Sequence, residues 1–125
     1  MESEKENQIR TLRKNEIIQL EVALNRRLPK NRRADLYFRL AEIYLESYRS
    51  AFLLEGRVHE KRLARGRRSK KIQRGYSKPF LRKGIQECKK ILALRIRYSN
   101  LDRVYYFLAY NYVELGNRKE SLKYY

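Results

Sequence analysis

A chain of 125 residues is long enough for one domain with a modest core and too short for two independent ones. Lys and Arg number 31 against 14 acidic residues, a formal net charge of +17 that exceeds what solubility requires and points to an anionic neighbour. Five glycines and two prolines are too few for a turn-rich sandwich or barrel, a single cysteine excludes an internal disulfide, and no run of about 18 apolar residues offers a transmembrane span.

The opening MESEKENQIR is polar and lacks the apolar stretch of a secretion signal. Residues 1–8 therefore read as a polar tail, and the chain as soluble and cytoplasmic unless Met1 is an engineered start that replaced a targeting segment. Ile17, Leu20, Leu24 and Leu28 recur three or four apart, which predicts a helix over 9–28. After Pro29 the stripe resumes at Leu36, Leu40, Ile43, Ser47, Ala51, Leu54 and Val58, flanked by Tyr44, Tyr48 and Phe52, and predicts one long helix over 34–64. Gly56 is the one place where that helix would break, at a cost of about 1 kcal/mol relative to alanine. Residues 65–78 read as a basic loop, 79–98 as a helix with Pro79 in its first turn, 102–115 as a helix, and 118–125 as a truncated one. The fold class is thus all-α in a single domain.

Two phrases in this pattern repeat. YFRLAEIYLE begins at Tyr37 and YYFLAYNYVE at Tyr105, an offset of 68 residues. In the same register Ile17 aligns with Ile85, Leu20 with Cys88, Leu24 with Leu92, Leu28 with Ile96, Leu40 with Leu108, Ala41 with Ala109 and Glu46 with Glu114. Short connections around Pro29 and Ser99 make the joined helices antiparallel neighbours. A helix pair of this size buries its apolar stripe only by stacking on another.

The stretch YYFLAYNYVELGNRKESLKYY resembles a tetratricopeptide repeat, carrying Tyr105, Leu108, a small Ala109, Tyr112, a turn glycine at Gly116, a small Ser121 and an aromatic Tyr125. YFRLAEIYLE is similar to the first helix of the same motif, and the offset is twice the family's period of about 34 residues. The intervening repeat is missing, since Lys71, Arg74, Gly75 and Lys78 stand where its helix would place Tyr, Leu, Ala and Tyr. The resemblance implies a stacked α-solenoid with one elongated helix and a basic insertion, a fragment of a longer array. It also implies a concave groove lined by the first helix of each repeat. In this chain the groove residues would be Phe38, Glu42, Arg103, Tyr106, Tyr110 and Val113, with Asp35 and Leu45 beside them. Some family members clamp a partner's carboxylates with Lys, Arg and Asn at such places. These residues are mostly aromatic, aliphatic or acidic, so a clamp is not expected, and the lining suits a peptide with apolar anchors.

Residues 57–83 hold many cations and one acid, Glu60. Arg65, Arg67, Arg68, Lys70, Lys71 and Arg74 form a candidate site for an acidic protein surface, nucleic acid or anionic lipid; the alternative is a solvated loop. Only Tyr76 and Phe80 lie near enough to stack on bases, and no nucleic-acid-binding motif is present. Eleven tyrosines fall largely at repeat positions, where Tyr37, Tyr44, Tyr105 and Tyr112 are expected to fill the core. Catalysis finds no support: His59 has no partner constellation, Cys88 sits on a packing face, and Gly66, Gly75 and Gly84 lack phosphate-loop spacing. The sequence reads as a non-catalytic scaffold or adaptor without cofactor or metal, binding another protein and open to self-association. The alternative is a module that binds nucleic acid or anionic membrane through 57–83.

Overall fold

The computed structural model describes residues 3–66 and 74–124, which form five helices with no strand among them. The first, α1 (Glu4–Leu24), starts well inside the expected polar tail. Ser3 caps it by accepting a hydrogen bond from the Glu6 amide at 3.2 Å, and Glu4 and Glu6 place negative charge at the positive end of its dipole. It stops short of residue 28, leaving Leu28 half-buried in the connection.

Directly after Pro29 comes α2 (Lys30–Ala64), 35 residues and roughly 50 Å long. Gly56 does not break it; a methyl group there would meet nothing within 4 Å. Lys61 and Arg62 in its last turn complement the negative end of the dipole. The next helix, α3 (Lys78–Ala93), has Pro79 in its first turn and no cap from Ser77. Its entry is held instead by Glu55 of α2, whose buried carboxylate accepts from the Tyr76 and Ser77 amides at 3.1 and 3.2 Å.

α3 ends five residues earlier than 79–98 implied. Arg95 adopts φ 52°, a left-handed conformation that no helix continues through. The apolar residues that follow still pack: Leu94 and Ile96 lie against the core, and Tyr98 is 8% exposed with its hydroxyl donating to Asp35 at 2.9 Å. α4 (Leu101–Glu114) closes with Gly116 at φ 82°, where the Asn117 amide reaches the Tyr112 carbonyl at 2.8 Å and the Gly116 amide that of Val113 at 2.9 Å. α5 (Arg118–Leu122) follows, capped by Asn117.

Consecutive helices pack on one another, α2 most extensively against α3. The cross-contacts run antiparallel. Along rising α2 numbers, Arg39 pairs with Glu16, Arg13 with Ser50, and Arg57 with Glu6; Tyr37 meets Lys90 and Glu55 meets Ser77. The main core joins Ala34, Phe38 and Ala41 of α2 to Ile85, Cys88 and Ile91 of α3 and to Val104, Leu108 and Tyr112 of α4. A second cluster gathers Leu45, Tyr48 and Leu81. α1 differs from the rest in having no buried residue, and its half-buried Ile17, Leu20 and Leu24 are supplemented by ion pairs with α2.

Small residues mark the close approaches. Ser121 donates to the Ala109 carbonyl at 3.0 Å, and an added methyl on Gly84 would stand 3.9 Å from the Ala41 carbonyl and 2.9 Å from the Asn111 amide nitrogen. Tyr44 and Tyr112 are buried as expected and Tyr37 partly so, but Tyr105 is 41% exposed and stacks on Tyr124 instead. No helix among the described residues is long and apolar enough to cross a membrane.

Candidate binding groove

Side chains rather than backbones connect α2 with α4. The Phe38 ring meets Phe107 edge-on at 5.4 Å, and near the other end of α4 the Tyr48 hydroxyl donates to Glu114 at 2.7 Å. Between these helices lies a wide, shallow groove of about 540 Å³ lined by Phe38, Glu42, Asp102, Arg103, Tyr106 and Phe107. Phe38 and Phe107 make an apolar floor, while Glu42, Asp102 and Arg103 supply charge of both signs.

Four of the six expected groove residues meet here. Glu42 is half-buried and 3.9 Å from the Arg39 guanidinium, and Arg103 is exposed. Tyr106 stands out, 63% exposed. Phe38 departs from the expectation of an open lining residue: at 6% exposure it belongs to the core, and only its edge contributes to the floor. Tyr110 stacks on Tyr106 at 6.4 Å and packs against the Leu45 cluster, so it buttresses Tyr106 from outside the groove. Val113 is exposed one turn or more further along α4 and does not line the groove. Leu45 is core, and Asp35 is occupied by Tyr98. Asp102 and Phe107 were missed by sequence reading, although Phe107 follows Arg103 at the spacing that shares a helix face.

The basic candidates separate differently. Arg67, Arg68, Lys70 and Lys71 lie outside the described residues. Arg65 is exposed just beyond α2. Arg74 is not a free cation: it donates to the Tyr48 hydroxyl at 3.2 Å and lies 4.0 Å over the Phe52 ring, part of a network that continues to Glu114. Burial, reinforced by the bond to Glu114, pushes the Tyr48 phenol up to about 12. Arg74 therefore joins the loop before α3 to α2, a structural duty that its place in a basic run concealed.

Burial likewise pushes the Cys88 thiol up to about 12, which keeps it protonated and unreactive in the folded chain. His59 lies by Glu55 and Arg62 in a hollow beside α2 that also includes Val58 and Tyr76. No group of three or more His, Cys, Asp or Glu suited to a metal occurs among the described residues. The chain matches no protein-family model, no curated protein and no solved structure.

Proposed function

We propose that this chain is a non-catalytic interaction scaffold that binds a peptide segment of another protein in the α2/α4 groove. The observation that carries this reading is Tyr106, an exposed aromatic braced by Tyr110 and set beside an apolar floor with charges of both signs. Exposed aromatics with a rigid backing and an arginine neighbour are the residues that dominate peptide interfaces. The groove takes an apolar anchor against Phe38, Phe107 and Tyr106, with an acidic residue of the peptide directed at Arg103. The helices stack in the manner of tetratricopeptide repeats, α2 corresponding to α4 and α1 to α3. Support comes from the shared burial of Leu40 with Leu108, Ala41 with Ala109 and Tyr44 with Tyr112, and from the small residue, Gly84 or Ser121, that approaches each alanine.

A random peptide library displayed on phage and selected on the immobilised chain tests the groove. Enriched peptides should carry an aromatic or aliphatic anchor near an acid and lose about tenfold or more in affinity with Tyr106→Ala or Arg103→Glu. Peptides that bind both variants as well as the parent chain would refute the groove assignment.

A second reading assigns nucleic acid to the basic end of α2. It is favoured by Lys61, Arg62 and Arg65, none of which has a carboxylate partner among the described residues. Duplex and single-stranded oligonucleotides, titrated at two salt concentrations against a Lys61→Ala/Arg62→Ala/Arg65→Ala chain, decide it: loss of binding in the variant supports this reading, equal binding removes it.

A further inference from the structure

α1 and α3 both rest on α2 and scarcely touch each other, and a wedge lies between the first half of α1, the start of α3 and the middle of α2. The wedge encloses a cavity of about 200 Å³ distinct from the α2/α4 groove. Ile9, Ile17, Ala51, Leu53, Tyr76 and Phe80 supply its apolar wall. Of these, Ile9, Leu53 and Tyr76 are 40%, 62% and 45% exposed, so three large apolar side chains converge where nothing among the described residues covers them. The charged side chains among its lining are Glu6 and four cations, Arg10, Arg13, Lys14 and Arg57.

We infer that this cavity binds a small amphiphilic anion, a single apolar chain ending in a carboxylate. Charge complementarity sets the head group, since Lys14 has no carboxylate partner among the described residues and Arg13 sits 3.7 Å from Glu46 with spare donors. The apolar wall sets the tail. Size excludes a docked helix, for two links between α1 and α2 bracket the space: Arg57 to Glu6 at 3.3 Å, and Arg13 to Ser50 at 2.9 Å. A helix of about 10 Å diameter enters only if both break, whereas an alkyl chain passes between them. The volume is also below that of pockets for drug-sized molecules, about 300 Å³ and above, and matches a short chain.

The test titrates the full chain at pH 8 with decanoate below its micelle concentration, following amide shifts by NMR and heat by calorimetry. Decanoate should bind at one site, shifting the amides of residues 9–17 and 47–57, while acetate does not bind and 1-decanol binds about tenfold more weakly. Lys14→Glu should weaken decanoate about tenfold, and the charge-matched Lys119→Glu, exposed on α5, should leave it unchanged. Ser47→Leu, which fills the cavity from a half-buried position, should abolish binding while circular dichroism stays that of the parent. Equal weakening by Lys14→Glu and Lys119→Glu would reduce the effect to the net charge and overturn the site. Binding of decanol as tight as decanoate, or decanoate binding that survives Ser47→Leu in a folded chain, would overturn it as well.

Discussion

Replacing Glu55 by alanine is the most informative single perturbation of this fold, because one carboxylate oxygen receives two backbone amides at the entry to α3. Each bond from an amide to a charged acceptor is worth about 1.5–3 kcal/mol net, and its loss leaves Ser77 buried with an unsatisfied donor. Against this gain stands the desolvation of the carboxylate, whose other oxygen is buried without a partner. The balance leaves a loss of roughly 2–4 kcal/mol for Glu55→Ala, or a fall in Tm of about 10 °C for a chain of 125 residues. Glu55→Gln keeps a neutral acceptor and should lose about 1 kcal/mol. Equilibrium unfolding in urea, followed by circular dichroism, measures both. Hydrogen exchange should show protection falling first at the Tyr76 and Ser77 amides. If Glu55→Ala unfolds within about 0.5 kcal/mol of the parent, α3 does not depend on a cap supplied by α2 and the reasoning fails.

Gly84→Ala should destabilise by about 1–2 kcal/mol despite alanine's better helix propensity, because its methyl would displace the buried Asn111 amide that donates to Leu81; a melting curve at or above the parent's would show that Asn111 yields freely. Stability should fall as pH rises above about 9 and on through 12, since the raised thiol of Cys88 and phenol of Tyr48 keep their protons when folded and release them when unfolded; flat urea midpoints across that window would contradict both burials. Cys88 should react with a thiol reagent only as urea unfolds the chain, and rapid labelling of the native protein would show the core open. Arg39→Ala removes a bidentate pair with Glu16 at 2.6 and 2.9 Å, and should speed exchange along α1 while α2, α3 and α4 keep their protection.

The all-helical class was legible because apolar spacing three and four apart over many residues fits a helix face, and the described residues form five helices and no strand. Their ends were less so. Ser3 and Glu6 spell a capping box that starts α1 inside the supposed tail, a signal masked by the polarity of the segment. At the other end of the first hairpin Leu28, and in the second Ile96, extend the helical period without being helical, since a connection can bury apolar residues from any backbone conformation that lets them reach the core. Nothing in one sequence announces that Arg95 turns left-handed. The groove was legible in part, because helix-face spacing groups Arg103 with Tyr106, but Leu45 looks like a lining residue until α3 and α4 are seen to cover it, and Phe38 lines the groove while being mostly buried in the core. The wedge between α1 and α3 left no trace in the sequence, as it depends on how two helices that scarcely touch each other sit on a third.

The distribution of acidic residues helps explain how so basic a chain holds its helices together. Glu6, Glu16 and Glu46 join α1 to α2, Glu55 joins α2 to α3, and Glu114 joins α4 to α2 through Tyr48. These five of the 14 acids serve joints between helices, while Glu42, Glu87 and Glu120 each pair with a cation three residues away, and the remaining cations repel one another in proportion to the net charge of +17. Salt then acts in two directions. It screens the general repulsion, favouring the α2–α4 core, and it weakens the pairs that attach α1, which has only half-buried apolar residues to hold it otherwise. An anionic partner resembles salt in the first respect and not in the second, since it neutralises cations at its own contact and leaves the α1 joints intact. Binding should therefore raise the stability of all five helices together, by an amount set by its concentration relative to Kd, whereas salt alone should uncouple α1 from the rest.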